Sequence, residues 1–197
     1  MSMLLATWRA LLDRRDFWFY PSDVPLGEAA ALLRFYNATG GPAWTANVGW
    51  GTDPVVNNWQ GVTVAGGHVT QLDLNANNLI GSADNELAPL AGSLINLALQ
   101  TNAGLITANI NALTVLQACT IQDMAWGQAI VDAFLLGMYT NRALYTDATP
   151  TLDISGTNAA PGGVYAYAAV PSTGNEYRYA LVNDDDAEGF NTWVITV

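Results

Sequence analysis

Val69-Thr70-Gln71-Leu72-Asp73-Leu74-Asn75-Ala76-Asn77-Asn78-Leu79-Ile80-Gly81 decides how this chain folds, because its pattern returns. The second copy is Leu94-Ile95-Asn96-Leu97-Ala98-Leu99-Gln100-Thr101-Asn102-Ala103-Gly104-Leu105. Leu72 to Leu97 and Asn77 to Asn102 are both steps of 25 residues. A looser third copy, Leu113, Leu116, Cys119, Ile121 and Met124, follows with a step of 22 from Leu97 to Cys119. Leu152-Asp153-Ile154 supplies a fourth strand. Leu-x-Leu alternation puts both leucines on one face of a strand. Each buried leucine is worth roughly 1.5–3 kcal/mol. One copy cannot bury its own apolar face, so neighbouring copies must stabilise each other. Asn77 and Asn102 fall where the chain turns inward, and a buried amide there can bond backbone groups that no sheet satisfies. An ordinary α/β domain with two leucine-rich strands is the alternative. The repeated asparagine and the shared step favour a repeat fold.

Working outward, residues 27–58 read as a helical cap, 59–125 as the repeats, and 126–197 as a helix followed by C-terminal strands. The cap helix is expected over 27–46 from Ala30, Leu33, Phe35 and Tyr36, with Gly40-Gly41-Pro42 as its stop. The second helix is expected over 126–146, with Trp126, Ile130, Ala133, Phe134, Gly137 and Met138 along one stripe. Pro161-Gly162-Gly163 opens a loop-rich stretch, and Trp193-Val194-Ile195-Thr196-Val197 closes the chain as an end strand. Such a terminal strand exposes edge groups that invite pairing with a neighbour. Residues 1–26 are an N-terminal arm. Leu4, Leu5, Trp8, Leu11 and Leu12 have helical spacing, and Phe17-Trp18-Phe19-Tyr20 leads into an extended Pro21/Pro25 stretch. Four consecutive aromatics cannot all face one side. Trp8, Phe17, Trp18, Phe19 and Tyr20 either pack on the chain's own body or dock onto another subunit; in the second case they are a partner-binding set. The first twelve residues lack the basic-then-apolar order of a signal peptide, so no removed leader is expected.

The 197 residues are 51% hydrophobic and 12% charged, a balance that excludes a disordered chain. The surface must therefore be largely neutral polar or apolar. Six basic residues face 17 acidic ones for a net charge of −11, and all six are arginines. Nucleic-acid binding needs basic stripes, so no nucleic-acid partner is expected. An anionic membrane would repel the chain, and no apolar run approaches the ~18 residues of a membrane span. Cys119 is the one cysteine, so no intrachain disulfide forms.

Leu-x-x-Leu-x-Leu-x-x-Asn at a period of about 20–29 residues is the leucine-rich-repeat signature. Residues 28–81 resemble the N-terminal cap and first repeat of plant-type leucine-rich repeats. There a helix ending in tyrosine and Gly-Gly precedes Trp…Trp-x-Gly-Val. Here the residues are Leu33-Arg34-Phe35-Tyr36-Asn37-Ala38-Thr39-Gly40-Gly41, Trp44, Trp50 and Trp59-Gln60-Gly61-Val62-Thr63-Val64. The plant-type cap usually carries paired cysteines, and Val64 stands where one is common. A cap without disulfides suits a bacterial or viral version. The C-terminal part is similar to a module of bacterial and bacteriophage leucine-rich-repeat-like proteins, through Leu152-Asp153-Ile154-Ser155-Gly156-Thr157-Asn158-Ala159-Ala160-Pro161 and Phe190-Asn191-Thr192-Trp193-Val194-Ile195-Thr196-Val197. The resemblance implies a short α/β solenoid with parallel strands, a helical N-terminal cap and a C-terminal end strand. It also implies a binding or scaffold role without catalytic residues.

The chemical side chains agree with that expectation. His68, the one histidine, follows Ala65-Gly66-Gly67 and reads as a turn residue. Cys119 takes a leucine position and reads as core. Asp184-Asp185-Asp186-Ala187-Glu188-Gly189 resembles the start of a calcium loop, but Ile195 falls where a bidentate glutamate is needed; a solvated acidic loop is the plainer reading. No catalytic residue, metal site or cofactor is expected, and no enzyme activity. Asn37-Ala38-Thr39 fits a glycosylation sequon by chance. The candidate partner surface is the outward face of the strands: Gln71, Asp73, Asn75, Asn96, Gln100, Thr120, Gln122 and Asp153, alternating with the core leucines. A merely solvated face is the bland alternative. The expected role is a non-enzymatic structural component of a bacteriophage virion, capsid-decorating or tail-associated, bound to other virion proteins or to copies of itself as an oligomer. A secreted or bacterial cell-surface module that binds a protein or glycan through the sheet is the alternative.

Overall fold

Leu72, Leu97, Cys119, Leu152 and Ile195 sit side by side on five neighbouring parallel strands. The computed structural model describes residues 21–146, 149–183 and 191–197. Residues 1–20 of the arm and the acidic run Asp184–Gly189 lie outside the described residues. The elements run α1 (Leu26–Ala38), β1 (Val62–Ala65), β2 (His68–Asp73), β3 (Ile80–Ala83), β4 (Asn96–Ala98), β5 (Gly104–Ala108), β6 (Ala118–Thr120), α2 (Gln128–Thr140), β7 (Thr151–Asp153), α3 (Gly174–Asn183) and β8 (Val194–Thr196). The fold is mixed α/β. Its main sheet has the order β1-β2-β4-β6-β7-β8, parallel except for the β1–β2 hairpin. A second, two-stranded parallel sheet, β3-β5, was not foreseen from the sequence.

The strands are short because the chain turns in the same way after each. Ala76, Thr101, Asp123 and Gly156 all have a left-handed backbone, with φ of 50°, 62°, 56° and 80°. Each lies four residues beyond the central core residue of its strand. This conformation costs a non-glycine residue roughly 1–2 kcal/mol. It directs the chain away from the sheet, toward β3 and β5 in the first two segments.

Asparagines hold these turns together. Asn102 Oδ1 accepts the N–H groups of Asn77 and Leu79, both at 3.0 Å. Its Nδ2 donates to the carbonyls of Leu74, Leu99 and Gln100. Asn77 Nδ2 donates to Ala46 O at 3.0 Å, and Asn77 Oδ1 accepts Ala46 N–H, tying the first segment to the cap. Both amides are buried, as a group that replaces missing sheet partners must be.

The core is continuous from the cap to the last strand. In the cap, Trp50 stacks on Tyr36 with 5.5 Å between centroids, and Trp44 meets both edge-on. Each indole N–H finds a carbonyl: Trp44 on Thr39, Trp50 on Gln60 and Trp59 on Asp53. The clustered rings thus bury apolar area without orphaning a donor.

Several expectations need correction. The cap helix ends at Ala38 rather than 46, and its buried stripe is Glu28, Ala29, Ala31, Leu32 and Phe35. Ala30, Leu33 and Tyr36 are half-buried, because Tyr36 turns toward the tryptophans. The second helix spans Gln128–Thr140 and buries Val131, Phe134, Leu135 and Met138; Ala133 is exposed. The last zone contains helix α3 as well as strands. His68 is the first residue of β2, with Nδ1 2.6 Å from the buried carboxylate of Glu28. The other Glu28 oxygen accepts Val69 N–H at 2.8 Å. The edge of the end strand is covered in part. Trp193 N–H donates to Leu181 O, and Arg178 reaches Ile195 O.

Candidate partner-binding face

Parallel pairing arranges the outward residues in rows. One row is Gln71, Asn96, Ala118, Thr151 and Val194; the next is Asp73, Ala98, Thr120, Asp153 and Thr196. A third is set by backbone bonds past the strand ends, from Ala76 N to Gln100 O, Thr101 N to Gln122 O and Asp123 N to Ser155 O. It aligns Asn75, Gln100, Gln122 and Ser155. All eight sheet-face residues expected from the sequence therefore share one surface. With strands about 4.8 Å apart, the five parallel strands span about 19 Å.

A β-bulge fixes which side chains reach this face. The β1–β2 register shifts between Thr63 and Val64, leaving Thr70 as the extra residue. Val69 and Leu72 are both buried although three residues apart. Without that insertion strict alternation would have sent one of them outward.

The face carries amides, hydroxyls and two carboxylates and, among the described residues, no cation. Asp73 and Asp153 occupy the same row three strands apart, about 14 Å. Each also braces its own turn. Asp153 Oδ1 accepts Ser155 N–H at 3.0 Å and Ser155 Oγ–H at 2.6 Å. Asp73 Oδ1 accepts Asn75 N–H at 3.3 Å. The remaining carboxylate lone pairs are acceptors, so the face suits a partner that presents N–H or O–H donors. At the β1 end it deepens into a hollow of about 250 Å³ lined by Gln60, Gly61, Asp73, Asn75 and Asn77.

Sequence reasoning missed part of this surface. Ala118, Thr151, Val194 and Thr196 complete the rows, and their signal was available: each flanks a core residue, Cys119, Leu152 or Ile195. It also missed a groove of about 300 Å³ on another side of the molecule, between β5 and α2. Thr107, Asn109, Trp126, Ile130 and Phe134 line it. No sequence signal marks it, because it arises where a helix packs beside a strand. The arm residues Trp8, Phe17, Trp18, Phe19 and Tyr20 lie outside the described residues.

Burial disarms the reactive side chains of the core. Cys119 is fully buried, and desolvation pushes its thiol up to about 12. The Tyr145 phenol is driven above its ordinary range by burial and, secondarily, by the charge of Cys119 when ionised. At the surface, Glu176 is held below the usual carboxylate range by the N–H and hydroxyl of Ser172 and then by Thr173 N–H. Among the described residues, no three His, Cys, Asp or Glu side chains are grouped to hold a metal. No helix among them is long and apolar enough to cross a membrane. Comparison with family models, with curated proteins and with solved structures finds no significant match.

Proposed function

We propose that the chain is a short leucine-rich-repeat-like solenoid that works as a non-enzymatic structural and interaction component. One observation carries this reading: Leu72, Leu97, Cys119, Leu152 and Ile195 follow one another in chain order across the parallel sheet. The recurring left-handed position and the asparagine bonds support it. In such an arrangement each coil lends its neighbour an apolar face, and the outer surfaces remain for partners. The resemblance of the C-terminal module favours a bacteriophage virion, with the chain decorating a capsid or associated with a tail. Its partners there are other virion proteins or further copies of itself, met through the arm and the outer faces.

Purification of particles from the source, followed by mass spectrometry, tests the assignment. The proposal expects this chain in the particle at a fixed, repeated copy number. Its absence from particles, with a stable monomer in light scattering, contradicts it. The donor-seeking row of Asp73, Thr120 and Asp153 favours a second reading, a secreted or cell-surface module that binds a protein or glycan. That reading expects a monomer whose binding is lost when Asp73 and Asp153 become alanine.

A further inference from the structure

The two edges of the main sheet are closed by different devices. At the β1 edge, Val62 N–H bonds Trp59 O at 2.9 Å and Val64 N–H bonds Asn57 Oδ1 at 2.8 Å. The outward donors of β1 are thus consumed within the cap. At the β8 edge, Val194 N–H donates to Pro150 O and Thr196 O accepts Ile154 N–H, so those two residues face β7. Backbone groups alternate sides along a strand, so Trp193, Ile195 and Val197 direct theirs away from the sheet. Trp193 N–H is taken by Leu181 O at 2.8 Å. Ile195 O is taken by Arg178 Nη2 at 3.3 Å. Among the described residues, the outward edge of β8 is therefore closed by helix α3 alone, through the Leu181 carbonyl and one side chain, Arg178.

Arg178 is positioned for that work. Its guanidinium lies over the Tyr165 ring, 4.7 Å from the centroid. Tyr165 in turn meets Tyr179 edge-on at 5.1 Å. A charged side chain held across a sheet edge is a known guard against strand addition. The need is clear here, because Val194 on this short strand and Val197 just after it are exposed.

We propose that Arg178 is the gatekeeper of the β8 edge and prevents it from pairing with β8 of a second copy. A second copy is the occupant the geometry selects. The outward donors of β1 are already consumed, so a head-to-tail ladder would lack half of its bonds and is disfavoured. Two β8 edges can meet antiparallel about a two-fold axis, which is a self-complementary and closed contact. Contacts of the native chain with partners then use its faces and arm, and the sheet does not extend from chain to chain.

The test is Arg178→Met in the full chain, which keeps a long apolar stem on α3 and removes the donor. Light scattering across a concentration series should show the variant at twice the wild-type mass at high concentration. Val197→Pro removes the outward N–H of the residue that follows β8, and in the Arg178→Met background it should restore the wild-type mass. Arg178→Lys keeps a donor and should behave as wild type. An Arg178→Met protein with a wild-type circular dichroism spectrum and wild-type mass at every concentration overturns the proposal. So does an Arg178→Met chain that fails to fold, because Arg178 would then be a packing residue rather than a guard.

Discussion

The side chain of Asn158 repeats the backbone hydrogen bonding of Asn102. Asn158 Oδ1 accepts the N–H groups of Met124 and Trp126, as Asn102 Oδ1 accepts those of Asn77 and Leu79. Asn158 Nδ2 donates to Ile121 O and Ile154 O, as Asn102 Nδ2 donates to Leu74 O and Leu99 O. Each amide thus clamps one strand segment to the next. Truncation would leave several buried backbone groups unpaired. Asn102→Ala and Asn158→Ala should each cost about 1–3 kcal/mol, and Asn77→Ala, which loses the bonds to Ala46, should fall in the same range. Denaturant unfolding checks all three, and unchanged midpoints would refute the clamp.

Thr101 is exposed, has a β-branched side chain, and holds φ at 62°. Glycine relieves about 1–2 kcal/mol of left-handed strain and returns about 0.5–1 kcal/mol in unfolded-chain entropy. Thr101→Gly should therefore stabilise the fold by roughly 0.5–1 kcal/mol, a rise of about 2 °C in Tm for a chain of this length. Differential scanning calorimetry reads the shift; a fall in Tm would mean that the position is not left-handed.

Glu176 ties down the start of α3, accepting Ser172 N–H at 2.8 Å and Thr173 N–H at 3.0 Å. Its folded pKa lies below the unfolded one. Its stabilisation is therefore complete above the unfolded carboxyl pKa and is lost as pH falls through the folded value. Glu176→Gln should lower Tm at pH 7 and converge with wild type in strong acid. A difference that stays constant with pH would show that charge is not involved.

Cys119 is 1% exposed and its thiol titrates near 12. Both properties suppress the reactive thiolate. The native protein should resist a thiol-specific chromogenic reagent at pH 8 and react with one equivalent after unfolding in guanidinium. Rapid labelling of the native chain would place Cys119 outside the core.

The leucine pattern made the strand segments legible, since Leu72, Leu97, Cys119 and Leu152 carry a periodic signal that burial alone explains. The rows of the outward face followed from the same alternation. The unforeseen parts are held by contacts distant in sequence. Glu28 caps β2 through Val69 N–H across 41 residues, and nothing around Glu28 announces that. Asn158 stands in the C-terminal motif, but its equivalence to Asn102 is hidden because the spacing slips: it lies six residues after Leu152, where Asn102 lies five after Leu97. Helix α3 did have a signal. Thr173-Gly174-Asn175-Glu176 has the form of a capping box, although only the Glu176 half bonds and Thr173 Oγ1 is buried without a partner. The two helix stripes are shifted from their expected positions because spacing cannot tell a sheet-facing flank from one facing a cap or solvent: Tyr36 packs half-buried on the tryptophans and Ala133 is exposed.

One alignment underlies the whole fold: Leu72, Leu97, Cys119, Leu152 and Ile195 abreast on parallel strands. Interstrand nuclear Overhauser effects in a uniformly labelled sample measure it directly. The expected result is a parallel pattern of amide-to-Hα contacts linking β2 to β4, β4 to β6, β6 to β7 and β7 to β8, in that register. Antiparallel contacts between any of these pairs, or the absence of contacts between Leu97 and Cys119 segments in an otherwise folded protein, would contradict it.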